Sequence, residues 1–281
     1  MYNLFIISFK KKVCIMKFSY INFYFLVSLV VSVAIRVFQL VFTIDPTTGF
    51  VKEQYSSVSF AITGVVIAAA AIAVLFSLFY SGSADIKIKD GAFTGIAAII
   101  LSLGICTEMV GRIAEENAKG NLGLSFFDIF SLSAAVFFAV YGLSVFFKFP
   151  IHGICYAIPI VYFTVKLVYM FIDVAYLALI TDNVFLIAGA CFTLMFMLEF
   201  GKKKNGYDKN KVNKKLLASA LGTVFFNTVT VLPQLIGGLF KADISFKEGA
   251  SDAVLMLSVA LFAGVYMVSC FKKSSVIDKT V

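Results

Sequence analysis

Long apolar runs recur along this chain, each closed by a short polar or lysine-bearing segment. A helix crossing a bilayer needs about 20 mainly apolar residues. Eight stretches meet that length, at about 19–43, 57–80, 91–113, 124–147, 153–180, 184–200, 214–238 and 250–271. The sixth is the shortest, and the fifth is long enough to tilt. The pattern predicts an all-α membrane protein of eight transmembrane helices.

Inside these runs the polar residues keep helical spacing. Ser28, Ser32, Arg36, Gln39 and Thr43 recur every three or four residues, as do Tyr162, Lys166, Tyr169, Asp173 and Tyr176. That spacing places each set on one helix face. The seventh run carries Thr223, Asn227, Thr230 and Gln234, with Pro233 beside them, where a proline frees a carbonyl one turn earlier. The third holds Glu108 and Arg112 one turn apart, and Asp128 opens the fourth. Charges at membrane depth are costly, so they turn inward and seek partners. Lys166 and Asp173 stand about 10 Å apart by helical rise and do not pair directly. Glu108 and Asp128 are therefore the carboxylates to consider for Arg36 and Lys166, while Glu199, beside a lysine run, reads as interfacial.

Composition agrees with lipid as the solvent. Hydrophobic residues make up 60% and charged residues 14% of 281, where soluble domains average about 25% charged. Tryptophan is absent, leaving 12 tyrosines and 32 phenylalanines for the interfaces. Four of the five cysteines, Cys106, Cys155, Cys191 and Cys270, lie in apolar stretches and read as small core residues. With His152 the only histidine, no histidine-based metal site can form, and no cofactor fingerprint or catalytic signature is present. The chain is not read as an enzyme, and no cofactor is expected.

The net charge of +8 is distributed for orientation, not for nucleic acid. With the N-terminus inside, seventeen lysines fall in inner segments, seven of them within 202–215. The outer segments hold Lys52, Lys119, Lys241, Lys247 and, at a helix end, Arg112. That asymmetry predicts both termini on the cytoplasmic side of the plasma membrane. The basic loop at 201–215 reads as a topology determinant ahead of a lipid-binding patch, and the segment 45–50 as an ordinary capped turn. Met16 is a natural start, which would make 1–15 an over-extended beginning; the first span, with Arg36 inside it, reads as retained.

An internal duplication is also expected. Aligning 132–148 with 257–273 gives nine identities, among them Tyr141/Tyr266, Ser144/Ser269 and Lys148/Lys273. At an offset of 130, Arg36 aligns with Lys166, Gln39 with Tyr169 and Thr43 with Asp173. A parallel 4+4 repeat follows: a segment 1–18, halves at 19–148 and 149–273, and a tail at 274–281. The stretches Arg36-Val37-Phe38-Gln39, Asp45-Pro46-Thr47-Thr48-Gly49-Phe50 and Thr181-Asp182-Asn183-Val184-Phe185 resemble uncharacterised bacterial multi-pass membrane proteins. That resemblance implies topology and no site roles.

The leading functional expectation is a small-solute or ion transporter with a polar pocket in the outer half of the bundle. Arg36, Gln39, Lys166, Tyr169, Asp173, Asn227 and Gln234 would bind an anionic or zwitterionic solute, and Glu108, Arg112 and Asp128 would form ion pairs or couple protons. The alternative is a sensor, assembly factor or complex subunit, alone or oligomeric, whose polar seams only hold helices together.

Overall fold

The computed structural model describes residues 18–43, 51–78, 91–120, 125–175, 181–207, 209–240 and 249–272. The start at 1–17, the turn at 45–50 and Lys87 and Lys89 lie outside them. Eight helices follow in order: α1 (Phe18–Phe38), α2 (Ser56–Leu78), α3 (Ala92–Ala118), α4 (Phe126–Phe147), α5 (Ala157–Ala175), α6 (Thr181–Lys204), α7 (Lys209–Phe240) and α8 (Ala250–Lys272). All eight are long and apolar enough to cross a membrane. The chain is a multi-pass membrane protein, and outward side chains such as Phe60, Phe93, Phe147 and Leu239 are exposed as lipid contact requires.

Local chemistry sets several helix ends. Ser125 and Asp128 form a capping box at the start of α4. The same helix stops where Lys148 takes a left-handed turn, two residues before Pro150. A π-helical turn, Gln39–Thr43, closes α1. Three ends differ from expectation. α6 runs on to Lys204, because lysine stems can extend along a helix end while their ammonium groups reach for polar surroundings. α3 continues beyond residue 113 and carries Glu115 and Glu116 on its last turn. α7, 32 residues long, absorbs Pro233 without a break in the helix.

Six helices close a ring, each packing on the next: α3, α4, α5, α6, α7, α8 and back to α3. α1 and α2 pair with one another and dock on the outside of α7. Enclosure on both sides leaves 89% of the spanning stretch of α7 buried, against 22% for α2. Hairpin pairs α1·α2 and α5·α6 match across the proposed halves, as do α3·α4 and α7·α8. The tight α6·α7 pair has no α2·α3 counterpart among the closely packed helices, so the neighbours do not fully repeat.

Two features define the ring interior. Near the lysine-rich end, Tyr141, Tyr156, Phe200, Phe262 and Tyr266 fill it edge to face, with Tyr141–Phe200 and Phe200–Tyr266 centroids 5.4 and 5.0 Å apart. Along one wall α3 and α8 run antiparallel on small residues. The Thr94 hydroxyl donates to Ser269 at 3.1 Å, Gly104 faces Ser258 and Gly111 faces Ser251, where a Cβ on either glycine would collide. Small residues let the two backbones approach closely, as packing in lipid requires.

Candidate functional site

At the bundle end opposite the 201–207 lysines, α3, α4, α5 and α8 bring charged side chains to one place. Glu108 and Arg112 lie one turn apart near the end of α3, and Arg112 Nη1 meets Glu108 Oε1 at 3.1 Å. The other arm of the guanidinium, Nη2, meets Asp128 Oδ1 at 2.5 Å and donates to Ser131 Oγ at 3.2 Å. Its plane rests 4.0 Å from the Phe127 ring centroid, a cation–π contact that lipid-side dryness strengthens. From α5, Lys166 Nζ reaches Glu108 Oε1 at 3.3 Å and Asp252 Oδ1, in the first turn of α8, at 2.8 Å. The Tyr162 hydroxyl donates to Glu108 Oε2 at 3.4 Å. Glu108 is thus the hub, buried and held by groups from two helices.

The members differ in what they have left to give. Asp128 accepts from Arg112 and also from the Ser125 backbone N–H and hydroxyl, at 2.7 and 2.9 Å. Those contacts occupy the carboxylate, so Asp128 acts as a helix cap and an anchor for Arg112. By contrast Asp252 keeps 31% of its side chain exposed. Together with Glu108, Arg112, Lys166, Tyr169 and Phe127, it lines a partly open cavity of about 280 Å³. Glu115, Glu116, Ser125, Met170 and Ser251 complete the wall. At about 30 Å³ per water this is roughly nine waters, room for a small solute. A second cavity of about 20 Å³, wide enough for about one water, is lined by Lys166 and Met170 too, and by Thr193 and Asn227 from α6 and α7. Lys166 and Met170 therefore stand between two spaces in series.

The sequence-expected residues divide accordingly. Lys166, Tyr169, Glu108 and Arg112 line the cavity, and Asp128 supports it. Asp173 belongs to α5, but its side chain lies outside the described residues. Arg36 and Gln39 are elsewhere, in the α1–α2–α6 contact. Arg36 is 1% exposed, sits 4.6 Å from the Phe185 ring centroid and donates to Gln39 Oε1 at 2.5 Å. The Gln39 amide in turn donates to Ser59 Oγ at 2.7 Å and to Ser59 O at 3.1 Å. Neither Glu108 nor Asp128 partners Arg36; their cations are Arg112 and Lys166. Arg36 and Lys166, aligned by the repeat, thus serve separate clusters.

On α7 the polar stripe is largely self-contained. Thr223 and Thr230 return their hydroxyls to carbonyls one turn back, each at 2.8 Å. Asn227 donates to Thr223 O at 2.8 Å and Thr193 Oγ1 at 3.2 Å, while Gln234 is buried further along. Glu199, expected as an exposed interfacial charge, is buried and pairs with Lys202 at 2.9 Å. Lys203 donates to Asn213, and the Lys204 ammonium lies 5.1 and 5.5 Å from the Tyr141 and Tyr266 ring centroids. These three lysines fold back on the bundle. Cys191, expected in the core, is exposed on the lipid side, and all four described cysteines are free.

Asp252, Glu115 and Glu116 are the residues that sequence reasoning missed. Asp252 stands in the first turn of α8, where an acid is favoured by the helix dipole alone, and the two glutamates fall beyond the expected end of the third span. Comparison with known proteins adds no name: the chain matches no family model, no curated protein and no solved structure. The reading as a multi-pass membrane protein therefore rests on the eight long apolar helices.

Proposed function

We propose that this chain is a transport protein that takes a small solute into the cavity bounded by α3, α4, α5 and α8. The observation that carries this reading is the pair of cavities in series, with Lys166 and Met170 between them. Packing alone calls for a dry, self-satisfied seam; a cavity walled by ionised groups is a space that water or solute fills. Loop charge supports placing the cavity mouth outside and both termini in the cytoplasm of a bacterial cell. The aromatic fill near the lysine-rich end then closes the inner side. The identities between α4 and α8 fit descent from a duplicated four-helix unit whose packing has since diverged.

For Arg36, Gln39, Asn227 and Gln234 the packing reading is the better one. The Gln39 and Asn227 amides satisfy neighbouring backbone and side chains within the α1–α2 and α6–α7 contacts, while Gln234 is buried on α7 away from the charged cavity. They hold helices in register, and the solute is left to the ring.

The test is chemical access in whole cells. In a background lacking native cysteines, Tyr169→Cys and Met170→Cys are expected to react with a membrane-impermeant maleimide added outside, with Asn227→Cys reacting far more slowly. Lack of labelling at 169 and 170, or equal labelling at all three, sinks the reading of an outward pocket.

A further inference from the structure

We infer that the ligand of this pocket is a small organic cation, an aliphatic amine or guanidinium, and not the anionic or zwitterionic solute that Arg36 and Lys166 suggested as a pair. The inference rests on the pocket proposed above and names its substrate class. Both cations at the site are already committed: Arg112 to Glu108 and Asp128, Lys166 to Glu108 and Asp252. An anion approaching either cation meets the carboxylates already on it, Glu108, Asp128 and Asp252, and the donor atom left over, Arg112 Nε, is buried. Like charges brought that close repel one another.

The carboxylates, in contrast, are in excess. Glu115 and Glu116 line the same wall, and neither has an ion-pair partner among the described residues. Asp252 is part exposed and shares a single lysine. The mouth of the cavity is therefore acidic, a field that concentrates cations from solution. Next to it stands an aromatic wall, Phe127 and Tyr169, with centroids 5.1 Å apart. Arg112 occupies the Phe127 face, and Tyr169, 48% exposed, presents a ring to the cavity. An aromatic surface beside carboxylates recognises a diffuse cation with a carbon skeleton.

A compact metal ion fits less well. Among the described residues no three carboxylate, cysteine or histidine groups stand close enough together to ligate one. Two serine hydroxyls, Ser125 and Ser251, add hydrogen-bonding partners for N–H groups. A bound ammonium would compete with Lys166 for Asp252, the contact at the boundary between the two cavities.

Four-carbon probes of equal length separate the classes. The full chain in nanodiscs is titrated calorimetrically with n-butylammonium, putrescine and agmatine, then with 1,4-butanediol and succinate. At least one cation is expected to bind, and to slow maleimide labelling of Met170→Cys, while the diol and the dicarboxylate do neither. The double variant Glu115→Gln/Glu116→Gln, which removes charge at the end of α3 without changing side-chain size, is expected to weaken cation binding at least tenfold. Asp252→Asn serves as a second, independent acid. Succinate binding in preference, equal binding of all probes, or undiminished cation binding in both variants overturns the inference. If Met170→Cys labels freely and no cation protects it, the pocket stands and the ligand class falls. If it does not label at all, the pocket itself is wrong.

Discussion

The two arginines of this chain occupy opposite kinds of site. Each lies over a phenylalanine ring, Arg36 over Phe185 and Arg112 over Phe127. Arg36 is sealed between helices and handed to an amide, whose own N–H groups are taken up by Ser59. Arg112 faces a cavity and clamps two carboxylates from different helices. The first arrangement joins α1 to α2; the second holds open a charged space between α3, α4, α5 and α8. A buried charge is thus no guide to function by itself. What distinguishes the two is place: Arg36 is buried between helices, and Arg112 stands on a cavity wall.

Mutation can break that comparison in order of expected effect. Arg112→Ala takes a cation from buried Asp128, which keeps only Ser125, and from Glu108, which keeps Lys166, and is expected to cost about 3–5 kcal/mol, read as a fall in thermal midpoint of the nanodisc sample. A loss no larger than that of a surface lysine would show that the clamp carries no weight. Gly104→Val drives a branched side chain into Ser258 and is expected to cost about 3 kcal/mol, with Ser258→Gly restoring part of it. Gln39→Leu removes one acceptor from Arg36 and a donor from Ser59, at about 2 kcal/mol, and leaves cation titration unchanged. A shift in that titration would join the two arginine sites and end the distinction between them. Lys202→Ala, which takes the half-exposed cation from the buried Glu199 carboxylate, is expected to cost about 1 kcal/mol.

The eight spans were legible because an apolar run is a local property, and so was the inward turn of Ser32, Arg36, Gln39 and Thr43, all buried. Helix ends were less so. Lysines at the end of α6 and glutamates at the end of α3 remain helical, because a charge at the bilayer edge need not stop a helix. Partner choice was the hardest part. Apolar faces of transmembrane helices are chemically alike, so nothing local in the sequence chose Lys166 over Arg36 as the partner of Glu108. The offset of 130 that aligned those two cations reflects order along the chain, and they face different neighbours. Asp252 was visible as a residue but not as a partner, since α8 reaches the site only through its small-residue contact with α3.

That contact has a consequence for how the protein can vary. Gly104 and Ser258 share a space that holds one side chain, as do Gly111 and Ser251. Growth on one helix demands shrinkage on the other, so each pair is inherited as a unit. A homologue with alanine at 104 is expected to carry glycine at 258. Because α3 also bears Glu108 and Arg112, a lineage that changed one member alone would shift its acids relative to Asp252, altering its ligand without any substitution in the cavity wall.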